Sequence, residues 1–423
     1  MKKYLTDINN GVFIKERNFS QIRESMTSIK VTDRTISNYL GMGGAITEAT
    51  AYNYSKLDNK SKKAFVRDYY SKDGLNYNFG RLSIGSNDFS LDSYEYATKK
   101  DLSDFSIERD KVLIIPMIKD ILMEKNIYFI AAPWSPPKVF KVLPVLNYGV
   151  KLKKKCYELY ANYLYKWLVS YKNEGISIDY ISMQNEPFAK QKWESCIYSL
   201  NEQYDFVYNY LIPKLDNAKV LLWDHNKENL YNIYKHLYLD NDKVAGIGFH
   251  YYTGPYFDNI RSIRKENSKV LLINTESCCG YSPYNEQNWI NDAEIYLKDI
   301  MGDFNAGANA YLDWNLFLDE FGGPCHVKNP VKSPIILKGN EYIKTPIYYY
   351  LYHISHFVQE GYEIKETTVS NDLITLAVNN NKKWIIIIMN VEDLDITFDL
   401  EICGKKYEDD IPKHSIITYV FEK

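Results

Sequence analysis

The run Lys269-Val270-Leu271-Leu272-Ile273-Asn274-Thr275-Glu276 joins four consecutive apolar residues to a polar end that closes on a carboxylate. Unbroken apolar character over so short a stretch fits a strand covered on both faces, because a half-exposed strand would alternate. Seven other stretches have the same build: Tyr39–Thr47, Tyr77–Gly85, Ile127–Ser135, Ile178–Glu186, Lys219–Asp224, Val244–Tyr252 and Ala308–Asn315. Helical spacing separates most of them. Lys111–Lys125 places Val112, Ile115, Ile118, Ile121 and Leu122 on one face, and Trp289–Met301 does the same with Ile290, Ala293, Tyr296, Leu297 and Ile300. Strand and helix alternating eight times predict an α/β fold, a (β/α)₈ TIM barrel, over residues 39–355.

The chain outside that span has a different pattern. From Tyr362 to Lys423 it offers short strands at Leu373–Val378, Trp384–Val391, Asp395–Leu400 and Ile416–Phe421, with no good helix. Residues 11–38 are also strand-like, as in Ser28–Ile36. So small a sheet cannot stand alone. Both ends, 1–38 and 356–423, are therefore expected to meet in one β-sandwich side domain.

Composition narrows the function classes. In 423 residues, 51 basic side chains face 54 acidic ones, for a net charge of -3, which argues against a strongly basic nucleic-acid binder. Hydrophobic residues make up 45% and charged residues 25%, which excludes a disordered chain. No apolar run of about 18 residues occurs, so no membrane-spanning segment is expected. Lys2 and Lys3 precede no apolar run suited to a signal peptide, and a cytoplasmic protein is expected. The six cysteines form no CxxC pair and no Cys/His zinc spacing; they are expected as free thiols, with Cys278 and Cys279 filling space behind a strand end. Neither metal nor cofactor is called for.

Function in a TIM barrel sits at the carboxyl ends of the strands. Those ends carry Ser86-Asn87-Asp88, Trp134, Asn185-Glu186, Asp224-His225, His250-Tyr251-Tyr252, Glu276 and Asp313-Trp314-Asn315. This ring of carboxylates, amides and aromatics lacks a Ser/His/Asp order and a phosphate-cradling loop. Gly41, Gly43 and Gly44 imitate a nucleotide loop, but no acidic residue is placed for a ribose, and close backbone packing is the better reading. Glu186 closes the fourth expected strand and Glu276 the seventh, across the barrel mouth. Two facing carboxylates suit glycoside cleavage, in which one carboxyl protonates the leaving oxygen while the other attacks the anomeric carbon. Aromatic faces suit the C–H faces of sugar rings. A metal-dependent hydrolase built on His225, His250 and Asp224 is the remote rival.

Several motifs, in order and at barrel spacing, resemble glycoside hydrolase family 30, the group of the glucosylceramidases and bacterial β-glucosidases. They are Gly41–Ala49, Gly80-Arg81-Leu82 with Ser86–Ser90, Ala132–Pro137, Gln184-Asn185-Glu186-Pro187, His250-Tyr251-Tyr252, Thr275-Glu276-Ser277, and Asp313–Leu316 followed by Gly322-Gly323-Pro324. The resemblance implies a barrel with a side β-sandwich from both chain ends. It makes Glu186 the general acid/base, with a raised pKa, and Glu276 the nucleophile of a retaining mechanism, carboxyls about 5–5.5 Å apart. It further implies that Asn185 meets the sugar 2-OH and that His250 and Tyr252 position the nucleophile. Asp88 and Trp134 would grip the far hydroxyls, Trp314 would form the platform, Asn329 would also bind substrate, and Arg81 would pair with a carboxylate near Glu276. Cys325, His326 and Tyr251 depart from the family pattern, as does the stretch Phe188–Cys196, which contains Trp193. These positions border the leaving-group side.

The reading is therefore a retaining, exo-acting β-glycosidase of glucosylceramidase type that takes terminal β-linked glucose from a small or oligosaccharide glycoside. Alternatives are a β-xylosidase, a β-fucosidase or a β-1,6-glucanase on the same scaffold, or a catalytically inactive sugar-binding protein.

Overall fold

The computed structural model describes residues 1–18, 27–370 and 372–422. Strands β1 (Lys2–Asp7), β2 (Val12–Arg17) and β3 (Thr27–Asn38) precede the barrel; the part of the expected 11–38 strand region at 19–26 lies outside the described residues. The barrel strands are β4 (Gly41–Ala45), β5 (Phe79–Ile84), β6 (Tyr128–Pro133), β7 (Tyr180–Ser182), β8 (Lys219–Asn226), β9 (Val244–His250), β10 (Leu271–Ser277) and β11 (Ala310–Asp313). Each falls within or overlaps one of the eight apolar stretches. They pair in parallel, each with the next, and β11 closes on β4.

The unbroken apolar runs follow from this closure. In β10, Leu272 packs outward into the main core shared with the helices, while Ile273 points into the barrel with Phe79, Ile130, Leu221 and Leu312. In β8, Val220 and Leu222 face out and Leu221 faces in. Gly43 is a packing residue: a Cβ there would stand 2.1 Å from the Phe79 carbonyl oxygen, so only glycine lets β4 approach β5 this closely.

Helices cover the barrel, among them Ile114–Glu124, Tyr157–Asn173, Trp289–Ala306 and Pro346–Ser355. Val112, expected on a buried helical face, lies before its helix and is 71% exposed. No helix among the described residues is long and apolar enough to cross a membrane. A small sheet of β12 (Phe317–Asp319), β13 (Ile335–Lys338) and β14 (Glu341–Lys344) follows β11, unanticipated from the sequence.

The remaining strands are β15 (Glu363–Val369), β16 (Ile374–Asn379), β17 (Lys383–Asn390), β18 (Ile396–Ile402), β19 (Lys405–Ile411) and β20 (Ser415–Glu422). With β1–β3 they form one nine-stranded sheet, in the order β19-β18-β3-β15-β16-β17-β20-β1-β2. Both chain ends thus build the side domain, its layers hydrogen-bonded into a single curled sheet. β17 is buried on both faces. Trp384, Ile386 and Ile388 enter the domain's own core, and Ile385, Ile387 and Met389 pack with the barrel's core. That double burial explains its unbroken apolar sequence.

Candidate active site

The polar side chains come together at the carboxyl ends of the strands, where β8 also carries a register shift between Trp223 and His225. Asn185 donates its backbone N–H to the Pro133 carbonyl (2.8 Å), and Glu186 donates to the Asp224 carbonyl (3.0 Å), so this pair is strung between neighbouring strand ends. Glu186, Trp223, Asp224 and Asn315 adopt left-handed backbone with φ of 47°, 75°, 55° and 69°. Such conformations cost roughly 1–3 kcal/mol in a non-glycine residue and gather where surrounding structure overrides local preference.

A cavity of about 410 Å³ opens there, lined by Asp88, Trp134, Asn185, Glu186, Tyr252, Glu276, Trp314 and Asn329. Both carboxylates singled out from the sequence therefore border one space. Trp134 and Trp314 stack with ring centroids 5.3 Å apart and planes 18° from parallel, and the Arg81 guanidinium lies over Trp134. Asn329 Nδ2 donates to Asp88 Oδ2 (3.0 Å). Its loop is held by the residues that depart from the family pattern: the His326 N–H donates to the Asp88 carbonyl (3.2 Å), and Cys325 Sγ accepts from the Asn329 N–H (3.2 Å).

Beneath the cavity lies a buried charge network. Arg81 Nη1 stands 3.0 Å from Glu276 Oε2 and donates to the Thr275 carbonyl (2.7 Å). Its Nη2 donates to Asn185 Oδ1 (2.8 Å) and Asp224 Oδ2 (3.1 Å). Tyr252 donates its hydroxyl to Glu276 Oε1 (2.8 Å). His250 bridges two carboxylates, with Nδ1 3.2 Å from Glu186 Oε1 and Nε2 3.1 Å from Asp224 Oδ1. His225 Nδ1 lies 3.7 Å from the same Glu186 oxygen.

Titration follows the partners. Burial alone would neutralise His250, but the charges of Glu276, Asp224 and Glu186 push it up to about 9. Burial would likewise raise Asp224, yet Arg81 and His250 hold it well below the usual carboxylate range. Burial and the Glu276 charge push Asp88 up to about 8. The expected raised pKa of Glu186 is not found. Burial pushes it up, but the His250 hydrogen bond and the two imidazoles outweigh that and bring it below its ordinary value. At Glu276 burial prevails over Arg81 and His250, and the shift is upward. The two hydrogen-bonded groups thus shift in opposite directions, up at His250 and down at Glu186.

Asp224 and His225 stand at an expected strand end, where the sequence alone suggests no more than remote metal ligation. Their places as partner of Arg81 and neighbour of Glu186 follow from barrel closure. Asn226 and Tyr281 also line the cavity and carry no sequence signal, whereas Gln191, which joins them, belongs to the stretch expected at the leaving-group side. No cluster among the described residues is arranged to hold a metal ion.

Comparison with known proteins agrees with this geometry. Lysosomal acid glucosylceramidase of Mus musculus is 29% identical, over 90% of this chain and 81% of its own. The structure of SrfJ from Salmonella typhimurium superposes with a TM-score of 0.95 at 27% identity, covering 100% of this chain and 99% of that one. An endo-beta1,6-glucanase superposes with a TM-score of 0.86 at 26% identity, covering 100% and 99%. The profile of the glycosyl hydrolase family 30 TIM-barrel domain matches residues 39–358, which takes in the whole barrel and every residue of the cavity, and the chain belongs to that family of glycoside hydrolases.

Proposed function

We propose that this glycoside hydrolase removes terminal β-linked glucose with retention, as an exo-acting enzyme of glucosylceramidase type. The observation that carries the reading is the pairing of Glu276 with Arg81 and Tyr252 in the cavity that Glu186 enters with His250 behind it. Glu276 attacks the anomeric carbon and Glu186 protonates the leaving oxygen. As the Glu276 charge passes into the new glycosyl bond, the field that keeps His250 protonated weakens, and its proton moves through Glu186 to the leaving group. Glu186 then takes a proton from the water that frees the sugar. Asn185, its carbonyl oxygen fixed by Arg81, meets the sugar 2-OH. Asp88 and Trp134 grip the far hydroxyls, Asn329 holds the Asp88 carboxylate beside them, and Trp314 forms the platform beneath the ring. Asp88, with a pKa near 8, offers a donor to those hydroxyls at neutral pH.

A second reading, an endo-1,6-β-glucanase, is favoured by likeness to such an enzyme and by a groove beside the cavity. There Phe188, Trp223, Asn232 and His236 meet His225, which the two spaces share. Such a wall could hold a leaving sugar.

A panel of aryl β-glycosides beside a β-1,6-glucan chain separates the readings. The exo reading expects aryl β-glucoside to be cleaved best, with first-formed β-glucose seen by NMR. Preferred cleavage inside the glucan would support the second reading, and first-formed α-glucose would refute double displacement.

A further inference from the structure

The groove that shares His225 with the cavity has a volume of about 540 Å³. Leu200 and Ile233 lend it walls from two helices, Leu200–Phe206 and Leu230–Tyr234, which follow the neighbouring strands β7 and β8. Such helices start at the barrel mouth and run back along its flank. Residues four apart share a helix face, so Tyr204 continues the line of Leu200 one turn further out. Tyr204 lies beside Tyr208, ring centroids 4.6 Å apart, where the helix passes into a π turn (Val207–Leu211). Tyr208 in turn meets Tyr238, which follows the second helix. Their rings are 5.5 Å apart, and the Tyr208 hydroxyl donates to the Tyr238 carbonyl. Three tyrosines thus join the two helices beyond the far end of the groove.

These rings are not needed for packing. Phe206, Val207 and Leu211 already close the core side of the first helix; Tyr208 leans on that core, and Tyr204 and Tyr238 take no part in it. Tyr204 is 50% exposed, Tyr238 48%, and Phe188 at the near end of the groove 46%. Polar side chains stand among the rings, since Asn232 and His236 line the groove and are exposed. Ring faces with an amide and an imidazole between them suit a sugar chain, whose C–H faces pack on aromatics while its hydroxyls seek polar partners. A docked helix would want an unbroken apolar strip. An anionic ligand would want cations, and the groove carries Glu228 instead.

We propose that this aromatic track on the barrel flank binds the leaving-group side of a β-linked glucan chain, beyond the sugar next to the scissile bond. The terminal glucose occupies the cavity, the next sugar passes His225 and Trp223, and later sugars lie along Tyr204, Tyr208 and Tyr238. The substrate class is then an oligosaccharide or polysaccharide rather than a small glycoside. The inference rests on the glucosidase reading for the identity of the sugar, and on the tyrosines alone for the place where the chain binds.

The test compares an aryl β-glucoside with β-1,6-linked gluco-oligosaccharides of two to six sugars, and follows binding by retardation in a native gel that contains β-1,6-glucan. The wild type is expected to gain about tenfold in kcat/KM from the disaccharide to the hexasaccharide, and to be retarded by the glucan. Tyr204→Ala/Tyr238→Ala should lose both the gain and the retardation. It should still cleave the aryl glucoside, whose leaving group ends short of Tyr204, at the wild-type rate. Tyr204→Phe/Tyr238→Phe keeps both rings and should keep the gain. Equal kcat/KM for two and six sugars in the wild type, or a gain that the alanine variant retains, would overturn the proposal. So would loss of aryl glucosidase activity in the alanine variant, which would make the tyrosines a support of the cavity. Self-association that the alanine variant lacks would assign the patch to a second copy and overturn it too. Failure of the glucosidase reading looks different, because neither the aryl glucoside nor any oligosaccharide is then cleaved. In that case the gel decides: tyrosine-dependent retardation upholds the track, and its absence overturns it.

Discussion

His250 at the barrel mouth and His353 at the seam between barrel and side sheet are both buried without exposed surface. Around His250 stand three carboxylates, which outweigh burial and push it up to about 9. Around His353 stand two hydroxyls: Thr418 Oγ1 lies 2.8 Å from Nδ1 and Thr6 Oγ1 2.9 Å from Nε2. A hydroxyl can donate or accept, so a neutral ring is satisfied there. Burial, with a smaller effect from His356, pushes His353 down to about 3. Equal burial thus accompanies opposite shifts. Desolvation sets the cost of an ion, and the partners decide whether it is met. The fold places a charged histidine where protons move and a neutral one where two domains are joined.

The largest effects are expected on the charged side. Glu276→Gln should lower turnover by about 10⁴-fold or more. Glu186→Ala should lose about 10²–10⁴-fold, with azide restoring part of the rate on an aryl glycoside with a good leaving group. Formation of β-glycosyl azide by the Glu186 variant fits the assignment, and an α-azide would exchange the two roles. His250→Gln comes next, at about 10²-fold in kcat. If His250 is the proton's resting place, its variant should also shift the alkaline limb of the kcat/KM profile downward in pH. An unmoved limb would reduce His250 to a spacer.

The seam should respond in stability alone. His353→Gln should cost about 1–3 kcal/mol at neutral pH by disturbing both threonine contacts, and leave kcat as it was. The two histidines also make opposite contributions to the pH dependence of stability. His353 has a folded pKa near 3 against an ordinary 6.5, so the unfolded chain binds more protons between those values. Its contribution is complete above pH 6.5 and is lost as pH falls toward 3. His250, near 9 when folded, contributes fully below 6.5 and loses that contribution as pH rises toward 9. Thermal melts across pH should therefore show His353→Gln flattening the acid limb only. An equally steep acid limb in that variant would break the comparison.

Legibility in the sequence tracked local hydrophobic pattern. The eight barrel strands were visible because burial on both faces makes their runs continuous, and Glu186 and Glu276 were visible because each closes such a run. β15 (EIKETTV) and β19 (KKYEDDI) were not, since each is largely polar and is held by pairing to neighbours remote in the chain. β19 sits at the sheet edge, where charge is favoured over apolar content. The order of the nine strands in the side domain was not legible either, because strand order is set by long-range pairing and leaves no trace in periodicity.

The sequence by itself determined the strand–helix alternation and the two carboxylates at strand ends, because periodicity and strand-end position are properties of neighbouring residues. Only the tertiary structure decided that Arg81 answers both Asp224 and Glu276, that His225 approaches Glu186, and that His250 bridges Glu186 and Asp224. Those are matters of charge within a few ångströms in a medium that screens poorly, and the residues concerned come together only when the barrel closes.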